Sequence, residues 1–473
     1  MKKVILFQFK QQFNYSDKTI CVIGLENHSL IGTDQSNWAK GEHKRPLIKQ
    51  GPVTANFHFP TSGISGWAFG SIPAFAPKDV HSNAVQYPFG GQFLYGRLGS
   101  HQHYLLSAII SYLERVPGGI LAPSGVAASH MAVMFNMPQG EVFLRSAPIY
   151  DCTRGAFDHI YSKLGMKSYT ADFTNMQALE EAIKKYNPYK LYLETPANPT
   201  MAMIDLPEVY KLAIKHNIKE IIVDNTFASP IIQKPVEVVN WDPEKKIRII
   251  HSGTKFFTGG LDGVVWGYVS LIDWKEYTPM LVFQKDMGFN MSGLDANAVL
   301  AHGMPTLHLR VKDQSANAMK VATFLNSHPL IKQVNYPGLP PYKEMADKMF
   351  TGEGYGSILH FELDDKQLSK EDSEAFGDIL GLQSFISLGV SLGKVETLIQ
   401  NSWFMVHRFM DETEKLKSGI TPFGWRLSIG SEDVRDIISE LGKSLDLLKN
   451  KEFRSWLSEF KEKLGTPEGM PKE

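Results

Sequence analysis

The sequence predicts an α/β protein whose main sheet is largely parallel and covered by helices on both faces. Short runs rich in strand formers, KLYLET (190–195), EIIVDN (220–225) and IRIIHSG (247–253), recur at intervals of about thirty residues. Stretches with helical spacing separate them. Strands joined in this way read as βαβ units, which force neighbouring strands to run parallel. Ligands in such sheets sit beyond the carboxyl ends of the strands, and Glu194, Asp224 and the Ser252–Lys255 cluster all fall there.

Along the chain, residues 1–95 have weak periodicity and many Gly, Pro, Asn and His residues, as expected of an extended arm making contacts between subunits. A large domain is expected over 96–308. HYLLSAIISYLERV (103–116) sets Leu105, Ile109, Tyr112 and Leu113 at helical spacing. In TNMQALEEAIKKYN (174–187), Thr174 followed by Gln177 has the form of a capping box. DLPEVYKLAIKHN (205–217) offers Asp205 as a cap, with Pro207 in the first turn. A smaller α+β domain is expected over 309–473. It opens with a long helix in HLRVKDQSANAMKVATFLNSHPLI and continues with a strand in GSILHFELDD (356–365). In SEDVRDIISELGKSLDLLKN, Val434, Ile438, Leu441, Leu445 and Leu448 mark a packing face.

Composition excludes several classes. Lys+Arg 49 against Asp+Glu 50 gives no basic or acidic bias toward nucleic acid or a membrane surface. Two cysteines, Cys21 and Cys152, are too few for a disulfide framework and fit a reducing cytoplasm. MKKVILFQFKQQ lacks the core of a signal peptide, and no apolar run is long enough for a membrane helix. No GxGxxG turn follows a first strand, which argues against a dinucleotide-binding oxidoreductase.

The strand ends supply a chemistry. A desolvated lysine forms an imine with a carbonyl, and the carbonyl cofactor held in this way is pyridoxal 5'-phosphate (PLP). PLP also needs a carboxylate at its ring nitrogen, a phosphate seat and an aromatic face. Lys255 is the candidate lysine and Asp224 the carboxylate. Ser252 and Thr254 offer hydroxyls, and the Ser-Gly turn at 124–125 leads into a small-residue helix suited to an anion. Tyr150 offers the ring. Singly, these residues have plainer readings: a solvated loop lysine, a helix cap, a core aromatic. Their joint occurrence in one chain order carries the weight.

LYLETPANPTMAMIDL, IIVDNTFASPIIQKP and IIHSGTKFFTGGLDG resemble the core of the Cys/Met-metabolism PLP enzymes, a fold-type I family. It includes cystathionine γ-synthase, cystathionine lyases, O-acylhomoserine sulfhydrylases and methionine γ-lyase. The resemblance spans roughly residues 90–445. It implies a seven-stranded sheet, Lys255 as the covalent and proton-shuttling lysine, and Asp224 at the pyridine nitrogen. It sets Asn198 near the cofactor's phenolate oxygen, and Gly125, Val126, Ser252 and Thr254 at the phosphate. Tyr95 and Arg97 match a pair that reaches the neighbouring subunit's phosphate, implying an active homodimer and a tetramer of two such dimers. Arg426 and Ser391 match the pocket for the substrate's α-carboxylate.

Three further matches favour methionine γ-lyase within the family: Cys152 two residues after Tyr150, the Lys285–Asp286 pair, and PANPTMAM. They imply γ-elimination from methionine or homocysteine, with Tyr150 as the acid for the leaving group. The alternatives are γ-replacement, as in cystathionine γ-synthase or O-acylhomoserine sulfhydrylase, and cystathionine β- or γ-lyase chemistry. Departures from the family pattern include Val126 for methionine, Gly253 for alanine and Gly99-Ser100-His101 for Asn-Pro-Thr.

Overall fold

Strands β4 (Lys190–Glu194), β5 (Glu220–Asp224) and β6 (Ile247–Ser252) are buried almost from end to end, as strands covered on both faces must be. With β1 (Gly119–Ala122), β2 (Val142–Ser146), β3 (Lys167–Ala171) and β7 (Gly267–Ser270) they form a seven-stranded sheet in the order β1-β7-β6-β5-β4-β2-β3. Pairing is parallel from β3 through β6, and only β7 runs against its neighbours. The computed structural model describes Arg97 and residues 99–260, 263–406 and 410–464. The expected arm, including Tyr95, lies outside these residues.

Helices α1 (His101–Glu114), α2 (Gly125–Met134), α3 (Asp151–His159), α4 (Met176–Tyr186), α5 (Leu206–Lys215) and α6 (Tyr277–Met287) belong to this layer. Asp205 caps α5 as expected, its side chain accepting from Glu208 N at 3.1 Å. Helix α4 starts differently from the expectation. Asn175 is its cap, accepting from the main-chain N–H groups of Gln177 and Ala178, while the Thr174 hydroxyl turns back to Asp172.

A second sheet has the order β10-β11-β12-β9-β8, from β8 (Ile331–Asn335), β9 (Ile358–Leu363), β10 (Ser387–Leu388), β11 (Leu398–Asn401) and β12 (Gly424–Ser428). Its own hydrophobic core lies against α7 (Leu307–Ser327), α8 (Lys370–Gln383) and α9 (Val434–Lys449). On α9, Ile437 is fully buried with Leu441, Leu445 and Leu448, whereas Val434 and Ile438 flank that stripe half-buried.

The amino ends of β4, β5 and β6 are tied together by buried charge. The Arg248 guanidinium donates to both Glu220 oxygens (2.6 and 3.3 Å) and to Glu276. Lys190 Nζ lies 3.2 Å from Glu220 and donates to the carbonyls of Ala132 and Phe135, which closes the carboxyl end of α2. Burial pushes the Glu220 carboxyl up, but Arg248 and Lys190 outweigh it and hold the group below its ordinary value. Removing that carboxylate alone leaves Lys190 with carbonyls only and Arg248 with Glu276 only. Glu220→Gln is expected to cost about 3 kcal/mol, read as a lowered melting temperature by circular dichroism.

Candidate active site

At the opposite, carboxyl edge of the same three strands is a cavity of about 200 Å3. Ser124, Gly125 and Val126 line it from the start of α2, Glu194, Asp224 and Ser252 from the strand ends, and Arg426 from β12 of the second sheet. The two sheets therefore meet at one site.

Its floor is built largely of main chain. Ser124 caps α2, its Oγ accepting from Ala127 N at 3.0 Å. A Cβ on Gly125 would fall 2.5 Å from that of Ser252, so only glycine lets the helix start lie against the end of β6. The N-terminus of a ten-residue helix thus faces the cavity beside the Ser252 side chain, an arrangement that favours an anion. The Thr254 hydroxyl is engaged elsewhere. It accepts from Trp266 N at 3.1 Å and donates to Trp266 O at 3.3 Å, pinning the lysine-bearing turn to β7's approach.

Lys255 follows that turn, and its Nζ donates to Ser391 Oγ at 3.1 Å. Asp224 accepts from Thr226 N at 3.0 Å, and Thr226 Oγ1 in turn accepts from Ser252 N at 2.8 Å. Burial raises the Asp224 carboxyl. A protonated ring nitrogen beside it would reverse that shift, which is the match a pyridinium needs. Burial, and then contact with the Cys152 thiol, pushes the Tyr150 phenol up.

Arg426 is 3% exposed, yet its partners among the described residues are neutral. It donates to Asn198 Oδ1 (2.9 Å), Ser391 O (2.9 Å) and Val390 O (3.2 Å), and its Nε is buried with no partner among those residues. A buried cation with no carboxylate calls for an anionic ligand. Behind it, cross-strand, sits His360. Burial and then Arg426 lower its pKa from 6.5 to about 4.

Several sequence candidates lie outside the cavity. Lys285 and Asp286 pair with each other on α6, and Arg97 is exposed and donates to Lys285 O at 3.4 Å. Cys152 is exposed on the first turn of α3. Conversely, Phe227, Val265, Val390 and Leu392, none of them a sequence candidate, form part of the cavity wall. Glu194 was visible at a strand end, but its bonds were not. Its two oxygens accept from Tyr150 N and Asn198 N.

The family model for Cys/Met metabolism PLP-dependent enzymes matches residues 73–446. The chain belongs to that family. Among Cys/Met metabolism PLP-dependent enzymes it is 34% identical to an L-methionine gamma-lyase of Fusobacterium nucleatum subsp. polymorphum, over 75% of this chain and 86% of that one. It is 29% identical to a cystathionine beta-lyase of Lactococcus lactis subsp. cremoris, over 80% of this chain and 94% of the relative. The fold matches a cystathionine gamma-lyase from Lactobacillus plantarum, crystallised with L-serine, at a TM-score of 0.68 and 29% identity. That match covers 76% of this chain and 89% of the other. The expected fold class therefore holds, and the protein is a PLP-dependent enzyme of sulfur amino-acid metabolism. Its residues fit the cofactor: a glycine-opened helix start for the phosphate, a half-buried carboxylate for the ring nitrogen, and an amine on the same cavity.

Gly253, one of the departures, has a local cause. A Cβ there would lie 2.2 Å from the buried Trp266 indole. Gly253→Ala is expected to destabilise by about 1–3 kcal/mol in thermal denaturation, and a smaller residue at 266 should recover part of the loss. His360 gives a pH signature. The unfolded chain takes up its proton near 6.5 and the folded protein only near 4, so stability falls as pH drops through that window. The loss is about 3 kcal/mol, and His360→Asn should flatten it in melting curves taken between those pH values.

Proposed function

We propose that the protein carries out γ-elimination on methionine-type amino acids, converting L-methionine and water to 2-oxobutyrate, ammonia and methanethiol. The observation that carries this reading is the cavity's composition. An amine, a phenol and a guanidinium open on one space to which Phe227, Val265, Val390 and Leu392 add an apolar stretch of wall. A substrate held there by its α-carboxylate lays its side chain against hydrocarbon, which suits a methyl thioether better than a second charged end. The likeness to the Fusobacterium L-methionine gamma-lyase supports the same reading.

When bound, PLP acts as an electron sink that acidifies the protons on the carbons next to the linked amine. The chain's residues do the rest. Lys255 holds the cofactor and carries protons at Cα and Cβ, passing near Ser391 Oγ. Asp224 keeps the ring nitrogen protonated, and the start of α2 with Ser252 takes the phosphate. Tyr150, its proton retained by a raised pKa, protonates the departing sulfur. Arg426 grips the α-carboxylate. On this reading Tyr95 and Arg97 serve a neighbouring subunit's phosphate, and the dimer is the smallest active unit.

Release of 2-oxobutyrate from L-methionine alone, by purified protein with PLP, tests the proposal. Steady release that disappears in Lys255→Ala is the expected result. A yellow protein that releases none from methionine, but acts on cystathionine or on an O-acylhomoserine with a thiol, would replace this reading with a sibling's. Arg426→Lys is expected to raise KM for the amino acid by at least tenfold, because lysine cannot make the two-pronged contact.

A further inference from the structure

Glu194 ends β4 with its side chain 4% exposed, in the wall of the cavity and directly across from Asp224 in the parallel register. Two carboxylates placed so close in a buried edge repel, and a plain core would avoid the second. Its bonds account for its presence. Oε1 accepts from Tyr150 N at 2.7 Å, and Oε2 from Asn198 N at 3.2 Å. Tyr150 heads α3, so the Glu194 carboxyl also faces the positive end of that helix. Burial, and then Asp224, push that carboxyl well up, and the N–H groups of Tyr150 and Asn198 work against the shift. Asn198, on the loop after β4, holds Arg426 through its side chain at 2.9 Å. One carboxylate therefore links the loop that bears the phenol to the loop that steers the guanidinium.

We propose that Glu194 is a positioning residue that sets Tyr150 and Arg426 in one frame. It touches neither reacting atoms nor carboxylate in this role, and it acts through two main-chain N–H groups. The inference rests on the parts given above to Tyr150 and Arg426. The isostere Glu194→Gln keeps the shape, but it offers one acceptor where two N–H groups need them and turns an amide donor against the other. The phenol and the guanidinium then lose their common reference, while Lys255, Asp224 and the start of α2 keep their own bonds.

The test uses holoenzyme. Glycine, which has an α-carboxylate and no leaving group, is titrated by the change in cofactor absorbance, alongside kcat and KM for L-methionine and the melting temperature. For Glu194→Gln we expect the cofactor retained, glycine bound about tenfold more weakly, and kcat reduced about tenfold. Asn198→Ala, which removes the side-chain acceptor from Arg426 and leaves Tyr150 N on Glu194, should weaken glycine with kcat less affected. In that background Glu194→Gln should cost glycine binding little more. Unchanged glycine affinity and kcat overturn the proposal, as does a change confined to melting temperature. Loss of the cofactor from Glu194→Gln also overturns it, by assigning Glu194 to holding PLP. If wild-type protein leaves methionine intact, the reaction proposed above fails by itself, and the glycine titration still judges the clamp.

Discussion

The site depends on the parallel register of β4, β5 and β6. Glu194 lies opposite Asp224, and Asp224 opposite Ile250, so β4 and β5 end together, β6 runs on to Ser252, and two carboxylates and Ser252 reach one edge. A slip of one residue would turn every side chain to the other face of the sheet. What prevents it is charge at the far end: Arg248 and Lys190 close on Glu220, with donors and acceptors matched so closely that another alignment would strand a buried ion. The polar core that is costly to bury is the part that specifies where the reactive edge falls.

The second sheet completes the chemistry. Arg426 comes from β12, and the turn through Val390 and Ser391 supplies both a partner for Lys255 and two carbonyls for the guanidinium. The lysine and the guanidinium thus draw on one loop, and on the proposed reading covalent attachment and carboxylate recognition share it.

Much of this was legible in the sequence, for physical reasons. Lys255 and Asp224 follow apolar strands at the positions where a parallel sheet presents its ligands, and small residues at 124–125 mark an anion-binding helix start. What stayed hidden involves main-chain partners or packing between distant elements. Glu194 works by accepting from N–H groups, one of them 44 residues away, and a main-chain donor has no residue signature. The Thr254 hydroxyl is occupied by Trp266, on the approach to an antiparallel strand that no pattern announced. Thr174 had the form of a cap, but Asn175 competes for the same N–H groups from one residue closer and wins. Ile437 and Ile438 differ in burial only by the angle at which α9 meets its sheet, and adjacency in sequence cannot report an angle.

The glycine contact between α2 and the end of β6 has a consequence for how such a protein can change. Because Gly125 meets Ser252 with no side chain between them, the phosphate end of the cavity is cast in backbone. At that contact a side chain on residue 125 has no room, so the spacing of helix and strand does not follow rotamers. The rim at Val265 and Val390 is the reverse: both residues are at least half exposed. A new substrate preference would therefore be written on the rim, one residue at a time, while the chemistry beneath it is inherited whole.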